Sequence, residues 1–357
     1  MATIHIRTGR ILRNIELLDA LLTEQDVRWT LVVKVLGSHR EAIRKLLASD
    51  VVRGLHSVGD SHLSGLEAVK AMNPDITTMY IKPPAQRHAK TVVRVADISL
   101  NSSFSTISAL NEEAARQGKV HKVVVMIEMG ELREGILRDN VLNFYQRVFE
   151  LPNIEVAGLG TNLGCMCGIE PTYDKLIQLC LYKQLLEARF NHSLELVSGG
   201  SSITLPMLTR RKLPKGVNHF RVGEAAFLGT SPLDGKPFRD LSTDAFEFRA
   251  NILELYKKEN VPDGTITDAA VGHGVNGGEE GRSFKALLDF GILDVEAQHL
   301  KPMNRGARFF GNTSDMTVFD VGQNSRGLRA GDVLGFRPDY MAVAKLMNSH
   351  FVDKLVE

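Results

Sequence analysis

The 357-residue chain has almost no excess of either charge: 43 Lys and Arg stand against 42 Asp and Glu, a formal net charge of +1. A surface without a dominant sign lacks the broad electrostatic footprint of a nucleic-acid or membrane-surface binder. No apolar run approaches the length of a bilayer span. The opening residues, Met-Ala-Thr-Ile-His-Ile-Arg, lack the apolar core of a secretory leader. Cysteine is scarce. Cys165, Cys167 and Cys180 are too few for a disulfide framework, and Cys165-Met-Cys167 lacks the C-x-x-C spacing of a zinc knuckle. No metal is expected, and a reducing cytoplasm is the simplest setting. There is no low-complexity segment, no close repeat, and no G-x-G-x-x-G after the first strand-like run to mark an open dinucleotide-binding sheet.

Hydrophobic residues make up 43% of the chain and charged residues 24%, enough for a sizeable core and, at this length, for two domains. From the start to about residue 231, short apolar runs alternate with helical patterns. Strands are predicted at 31–36, 53–58, 77–81, 97–100, 122–128, 154–159, 194–197 and 218–222. A helix near 9–22 precedes them, and helices near 39–48, 61–72, 85–94, 105–117, 139–149, 171–190 and 203–210 separate or follow them. Eight such units suggest a (β/α)8 TIM-type barrel. The pattern then changes. Residues 244–257 alternate apolar and polar side chains, and strand-like runs follow at 284–288, 307–310, 316–321 and 332–336, with a partly helical end over 340–355. The expected division is a barrel over 1–235 and a mostly-β domain over 236–357.

Within the first apolar run sits Lys34. A buried ammonium is costly unless paired or chemically used, and a desolvated lysine loses its proton readily and forms Schiff bases. The bland alternative is a lysine snorkelling to solvent from a strand end. The turn after Lys34 offers Ser38 and Glu41 as a capping box. Chemistry in a barrel gathers at the C-terminal strand ends. The other ends carry Glu128–Gly135 with Arg133, Gly158–Gly164 with Asn162, Ser198-Gly-Gly-Ser-Ser202, and Arg221-Val-Gly-Glu-Ala225. The Ser198–Ser202 turn is glycine-rich and runs into a helix, a setting that suits a phosphate but is also an ordinary βα turn. A Schiff-base lysine, a phosphate cup and an arginine in one barrel mouth suggest pyridoxal 5′-phosphate.

These stretches, together with Val33-Lys34-Val35, Thr313-Ser-Asp315 and Gly331-Asp-Val333, resemble the pyridoxal-phosphate enzymes of the alanine racemase fold, and within them the ornithine racemase group. The resemblance implies an amino-acid racemase in which Lys34 holds the cofactor and then acts as a base at the α-carbon. It implies that Arg221 donates to the pyridine nitrogen, and that Gly200, Ser201, Gly223, Glu224 and the late Tyr340 hold the phosphate. Asn162 would lie near the ring face, and Arg133 near the cofactor hydroxyl and the substrate carboxylate. A homodimer with the active site at the subunit interface is implied too, with ornithine or another basic amino acid as substrate. The chain departs from the fold's pattern where alanine racemases carry a second, tyrosine base. The matching stretch is Gly291-Ile-Leu-Asp294, and Ile292 cannot move a proton. Met316 likewise stands where the subgroup has a histidine. Candidates for the second base are His273, in a glycine-rich loop, and Cys165, three residues after Asn162. Racemisation of alanine or serine, a decarboxylase of the same fold, and a non-catalytic cofactor-binding protein are the alternatives.

Overall fold

Parallel strands with a helix between each successive pair must cover both sheet faces, and eight of them here close on themselves. The computed structural model describes residues 1–265, 267, 272, 274 and 280–357. After β1 (Thr3–Ile6) come β2 (Arg28–Val32), β3 (Ser57–Asp60), β4 (Thr78–Tyr80), β5 (Ile98–Asn101), β6 (His121–Met126), β7 (Ile154–Gly160), β8 (Leu196–Ser201) and β9 (His219–Val222). Strands β2 to β9 form the closed barrel, with β9 pairing back onto β2 through Thr30↔Arg221. The outer helices present one apolar face each. In the helix Arg40–Leu47, for example, Ala42, Ile43, Leu46 and Leu47 are buried.

The barrel interior divides in two. Met79, Ile98, Leu100, Val124, Met126, Ala157 and Leu196 form one apolar cluster that joins non-neighbouring strands, so these residues point inward. On the side of β8, β9, β2 and β3 the interior is polar: Ser198, His219, Thr30 and Ser57 are each 1% exposed or less. Thr30 touches both halves, its Oγ1 lying 3.6 Å from Met79 Sδ.

Three local expectations are corrected. The strand expected at 31–36 ends at Val32, and Lys34–Leu36 forms a tight helical turn. Gly37 and Ser38 then adopt left-handed backbone (φ 55° and 62°), so Ser38 cannot cap. His39 does so instead, its Nδ1 accepting from Ala42 N. Of the stretch expected as a strand at 53–58, Arg53 and Gly54 end a short helix, Asp50–Gly54, and the strand itself lies later, at Ser57–Asp60.

Two compact units divide the chain. Ile11–Lys34 with Ser38–Thr243 forms the barrel unit, and Met1–Arg10, Val35–Gly37 and Asp244–Glu357 form the other. In the second unit β10 (Phe246–Glu259), β11 (Arg282–Leu288), β12 (Leu300–Pro302), β13 (Arg308–Asn312), β14 (Thr317–Asp320) and β15 (Val333–Pro338) make an antiparallel sheet. Phe248, Phe290, Phe319 and Phe336 are its aromatic core, with ring centroids 5.0–6.1 Å apart. Strand β1, read from sequence as part of the barrel segment, pairs instead with β10 and with β16 (Asp353–Val356). Among the described residues, no helix is long and apolar enough to cross a membrane.

Candidate functional site

The C-terminal rim of the barrel unit gathers most of the residues singled out in the sequence. Lys34 leaves the end of β2 half-buried, in the turn Lys34–Leu36. Arg221 lies on the neighbouring β9 and is 6% exposed. A buried guanidinium must place its N–H groups on acceptors, because leaving them unpaired costs several kcal/mol. Arg221 donates to Ser198 O at 3.0 Å, Thr161 O at 2.8 Å and Asn162 Oδ1 at 2.6 Å, and also to Ser198 Oγ. All four acceptors are neutral. Burial draws the Arg221 pKa down to about 10, with the Glu134 charge resisting and the Arg133 charge assisting. The group therefore stays protonated at neutral pH.

Asn162 links this buried cation to a charged cluster. Its Nδ2 donates to Glu134, whose carboxylate also takes both Nε and Nη2 of Arg133. The Glu134 contact, ahead of the opposing burial, raises the Arg133 pKa. The remaining Arg133 nitrogen donates to Cys165 Sγ. So Arg133, Asn162, Cys165 and Arg221 form one continuous network, with Glu134 at its hub. Sequence reasoning quoted Glu134 only as part of a run and gave it no role. An acidic residue beside an arginine in a loop carries no distinguishing signal.

Glu131 was missed in the same way. It is 1% exposed and makes an anion cup. Its oxygens accept backbone N–H bonds from Gly164 (3.0 Å), Cys165 (2.8 Å), Cys167 (2.8 Å) and Ile169 (3.2 Å), and from Met166. Burial pushes the carboxyl up, but the N–H groups of Cys165, Cys167, Met166 and Gly164 together outweigh it and hold the pKa below the usual range. The loop bearing Cys165 is thus shaped by a side chain over 30 residues earlier.

The turns after β8 and β9 lie side by side, since Ser201 pairs with Arg221. Ser202 Oγ, accepting from Ala225 N at 3.2 Å, pins one turn to the other. Glycine is required at 200, where a Cβ would sit 2.2 Å from the Phe220 ring, and a Cβ at Gly223 would press on Val32 at 3.2 Å. Glu224 opens the short helix Glu224–Leu228. Ser201 and Thr204 cap each other reciprocally. The polar column beneath was overlooked: His219 lies two residues before Arg221, hence on the same strand face, a period-two signal the sequence did contain.

Of the remaining candidates, Tyr340 begins the helix Tyr340–Asn348 of the second unit. His273 lies outside the described residues. In that unit the Gly291–Asp294 loop packs on 313–316: Ile292 N and Leu293 N donate to Thr313 O and Ser314 O at 3.0 Å each. Among the described residues, no group of three or more His, Cys, Asp or Glu could hold a metal ion.

The chain is similar to known proteins in family and in fold. The family described as alanine racemase, N-terminal domain, matches residues 6–232. An ornithine racemase of Acetoanaerobium sticklandii is 30% identical over 98% of both chains, and a lysine racemase of Thermotoga maritima is 28% identical over 85% of both. Among solved structures, an alanine racemase from Bartonella henselae with covalently bound pyridoxal phosphate superposes with a TM-score of 0.75. It has 13% identity, and the match covers 100% of this chain and 99% of that one.

Proposed function

The chain belongs to the alanine racemase family and is a pyridoxal-phosphate-dependent amino-acid racemase, and from that premise we propose that it acts on ornithine or another basic amino acid through Lys34 and Arg221. The observation that carries the site assignment is the buried, protonated Arg221, held among the described residues by neutral oxygens, at a strand end adjacent to that of Lys34. A cation buried without a directly bonded carboxylate has a donor face suited to a neutral acceptor such as a pyridine nitrogen.

The donor set fits the cofactor. Lys34 supplies the amine that would hold it, and Arg221 the donor for its ring nitrogen. Gly200 and Ser201 at the end of β8, and Gly223 and Glu224 just after β9, lie side by side and would hold its phosphate. Tyr340 is the further phosphate ligand carried by the resemblance. When bound, pyridoxal phosphate supplies the electron-withdrawing ring that acidifies the proton on the α-carbon. Because Arg221 can only donate, it would offer the ring nitrogen an N–H and would moderate that withdrawal. Asn162 and Arg133 orient the ring face and the substrate carboxylate. Lys34 Nζ takes or returns the α-proton on one face.

A second proton carrier is needed on the opposite face, and Ile292 cannot serve. We assign it to Cys165. The support is its hydrogen bond from Arg133 and its place in the loop that follows Asn162. His273 is the second candidate. The basic substrate class rests on the ornithine and lysine racemase relatives. A homodimer and a cytoplasmic setting complete the proposal; the exposed thiols of Cys165 and Cys167 suit a reducing compartment.

The test is α-proton exchange in deuterated water, followed by NMR, with pyridoxal phosphate and L-ornithine, L-lysine, L-arginine, L-alanine and L-serine in turn. Exchange concentrated on the three basic amino acids is expected. Exchange confined to alanine or serine would overturn the substrate class. Carbon dioxide release would point to decarboxylation instead.

A further inference from the structure

We propose that His219 is a positioning residue for Arg221, acting through Ser198, and that the buried column Ser198–His219–Thr30–Ser57 aims the guanidinium. The inference rests on the assignment of Arg221 to the cofactor ring made above.

Arg221 has two side-chain partners, Ser198 and Asn162. Asn162 is steered by Glu134. Ser198 is steered from inside the barrel. Its Oγ lies 2.8 Å from His219 Nδ1, and His219 Nε2 lies 3.0 Å from Thr30 Oγ1. Thr30 Oγ1 is 2.7 Å from Ser57 Oγ, which is 3.2 Å from His56 Nδ1 near the start of β3. The edge of the His56 ring meets His219, with centroids 4.8 Å apart. His219, Ser198 and Thr30 are each 0% exposed, so no water competes for these bonds.

Proton counting gives the column a direction. An arginine can only donate, so Ser198 Oγ accepts from it and keeps its own proton to give. A neutral imidazole has one accepting and one donating nitrogen. With Nδ1 accepting from Ser198, the Nε2–H donates to Thr30, whose hydroxyl passes the sense on to Ser57. Burial, ahead of the charges of His56, Arg221 and Arg28, holds His219 neutral. Without an acceptor at Nδ1, the Ser198 hydroxyl is free to turn, and one of the two side-chain guides of Arg221 is lost.

Two amides separate the halves of this device. Asparagine at 219 puts its amide near the place of Nδ1 and keeps Ser198; glutamine puts its amide near Nε2 and keeps Thr30. His219→Gln is expected to raise the dissociation constant for pyridoxal phosphate, read from visible absorbance, about tenfold, and to lower kcat with little change in KM. His219→Asn is expected to recover cofactor affinity to within about threefold of wild type. Equal cofactor affinities for folded Asn and Gln variants would overturn the inference. If neither variant folds, Ser198→Ala decides: it should weaken cofactor binding about as much as expected for His219→Gln, and wild-type affinity would overturn the inference. The Arg221 side-chain 15N resonance, measured without cofactor, separates this inference from the functional reading. A shift moved by His219→Gln but not by His219→Asn, in a chain that takes up no cofactor, would leave the positioning intact and reject the reading of the site. A resonance unmoved by either variant would reject the positioning.

Discussion

Glu131→Gln should unlock the loop that carries Cys165 while leaving the barrel folded. Five backbone N–H groups, from residues 164, 165, 166, 167 and 169, converge on the two carboxylate oxygens. Glutamine has the same shape but only one acceptor oxygen. In its better orientation the amide oxygen keeps Cys165, Met166 and Cys167, and its NH2 faces the N–H groups of Gly164 and Ile169. Each lost charge-assisted bond is worth roughly 1.5–3 kcal/mol, so the pair costs about 3 kcal/mol or more before relaxation. The loop relaxes by opening, so the loss should be local. Amide hydrogen exchange reads it directly. Protection at residues 164–169 should fall about a hundredfold, with the amides of β6 and β8 unchanged. Racemase activity should fall with it, because Asn162 precedes the loop and Cys165 lies in it. Unaltered protection in Glu131→Gln would refute the anion-cup account.

Two further outcomes follow from the same geometry. His121, 2% exposed and bonded to Ser99 Oγ at 2.8 Å, is held by burial at a pKa of about 4, with the Asp97 charge opposing. Between about pH 4 and 6.5 the unfolded chain therefore binds a proton that the folded chain does not. The contribution of His121 is complete above pH 6.5 and is lost as pH falls toward 4, by about 3 kcal/mol. Urea midpoints across that range should fall with acid, and His121→Gln should flatten the slope; an unchanged slope would contradict the buried neutral state. Cys165→Ala should block interconversion of enantiomers yet leave α-proton exchange on the enantiomer served by Lys34. Equal loss of exchange on both enantiomers, with cofactor still bound, would remove Cys165 from the proton path.

The barrel was legible because its strands are apolar runs spaced by helical periods, and a pattern that repeats eight times survives single errors. The stretch at 53–58 misled because it spans the end of the helix Asp50–Gly54 and the start of the strand Ser57–Asp60, and no local apolar period separates the two. Lys34 was readable as a charge inside an apolar run, and Arg221 as a charge at the end of the last barrel strand. Glu131 and Glu134 were not, because their partners lie about 30 residues on and depend on how two loops meet. Pairing of β1 with β16 was equally hidden: Thr3 meets Asp353 across nearly the whole chain, and no local pattern encodes that. His219 was hidden by ambiguity, since a histidine in an apolar strand is usually a satisfied core residue, and here it is satisfied by two hydroxyls.

The central claim is tested most directly by chiral chromatography of L-ornithine and, separately, D-ornithine incubated with the cofactor-loaded chain and with Lys34→Ala. The wild-type chain should bring both to the same equal mixture of enantiomers, since mirror images have equal free energy, and Lys34→Ala should leave each unchanged. Ornithine consumed without appearance of its enantiomer, or full interconversion by Lys34→Ala, would contradict the account.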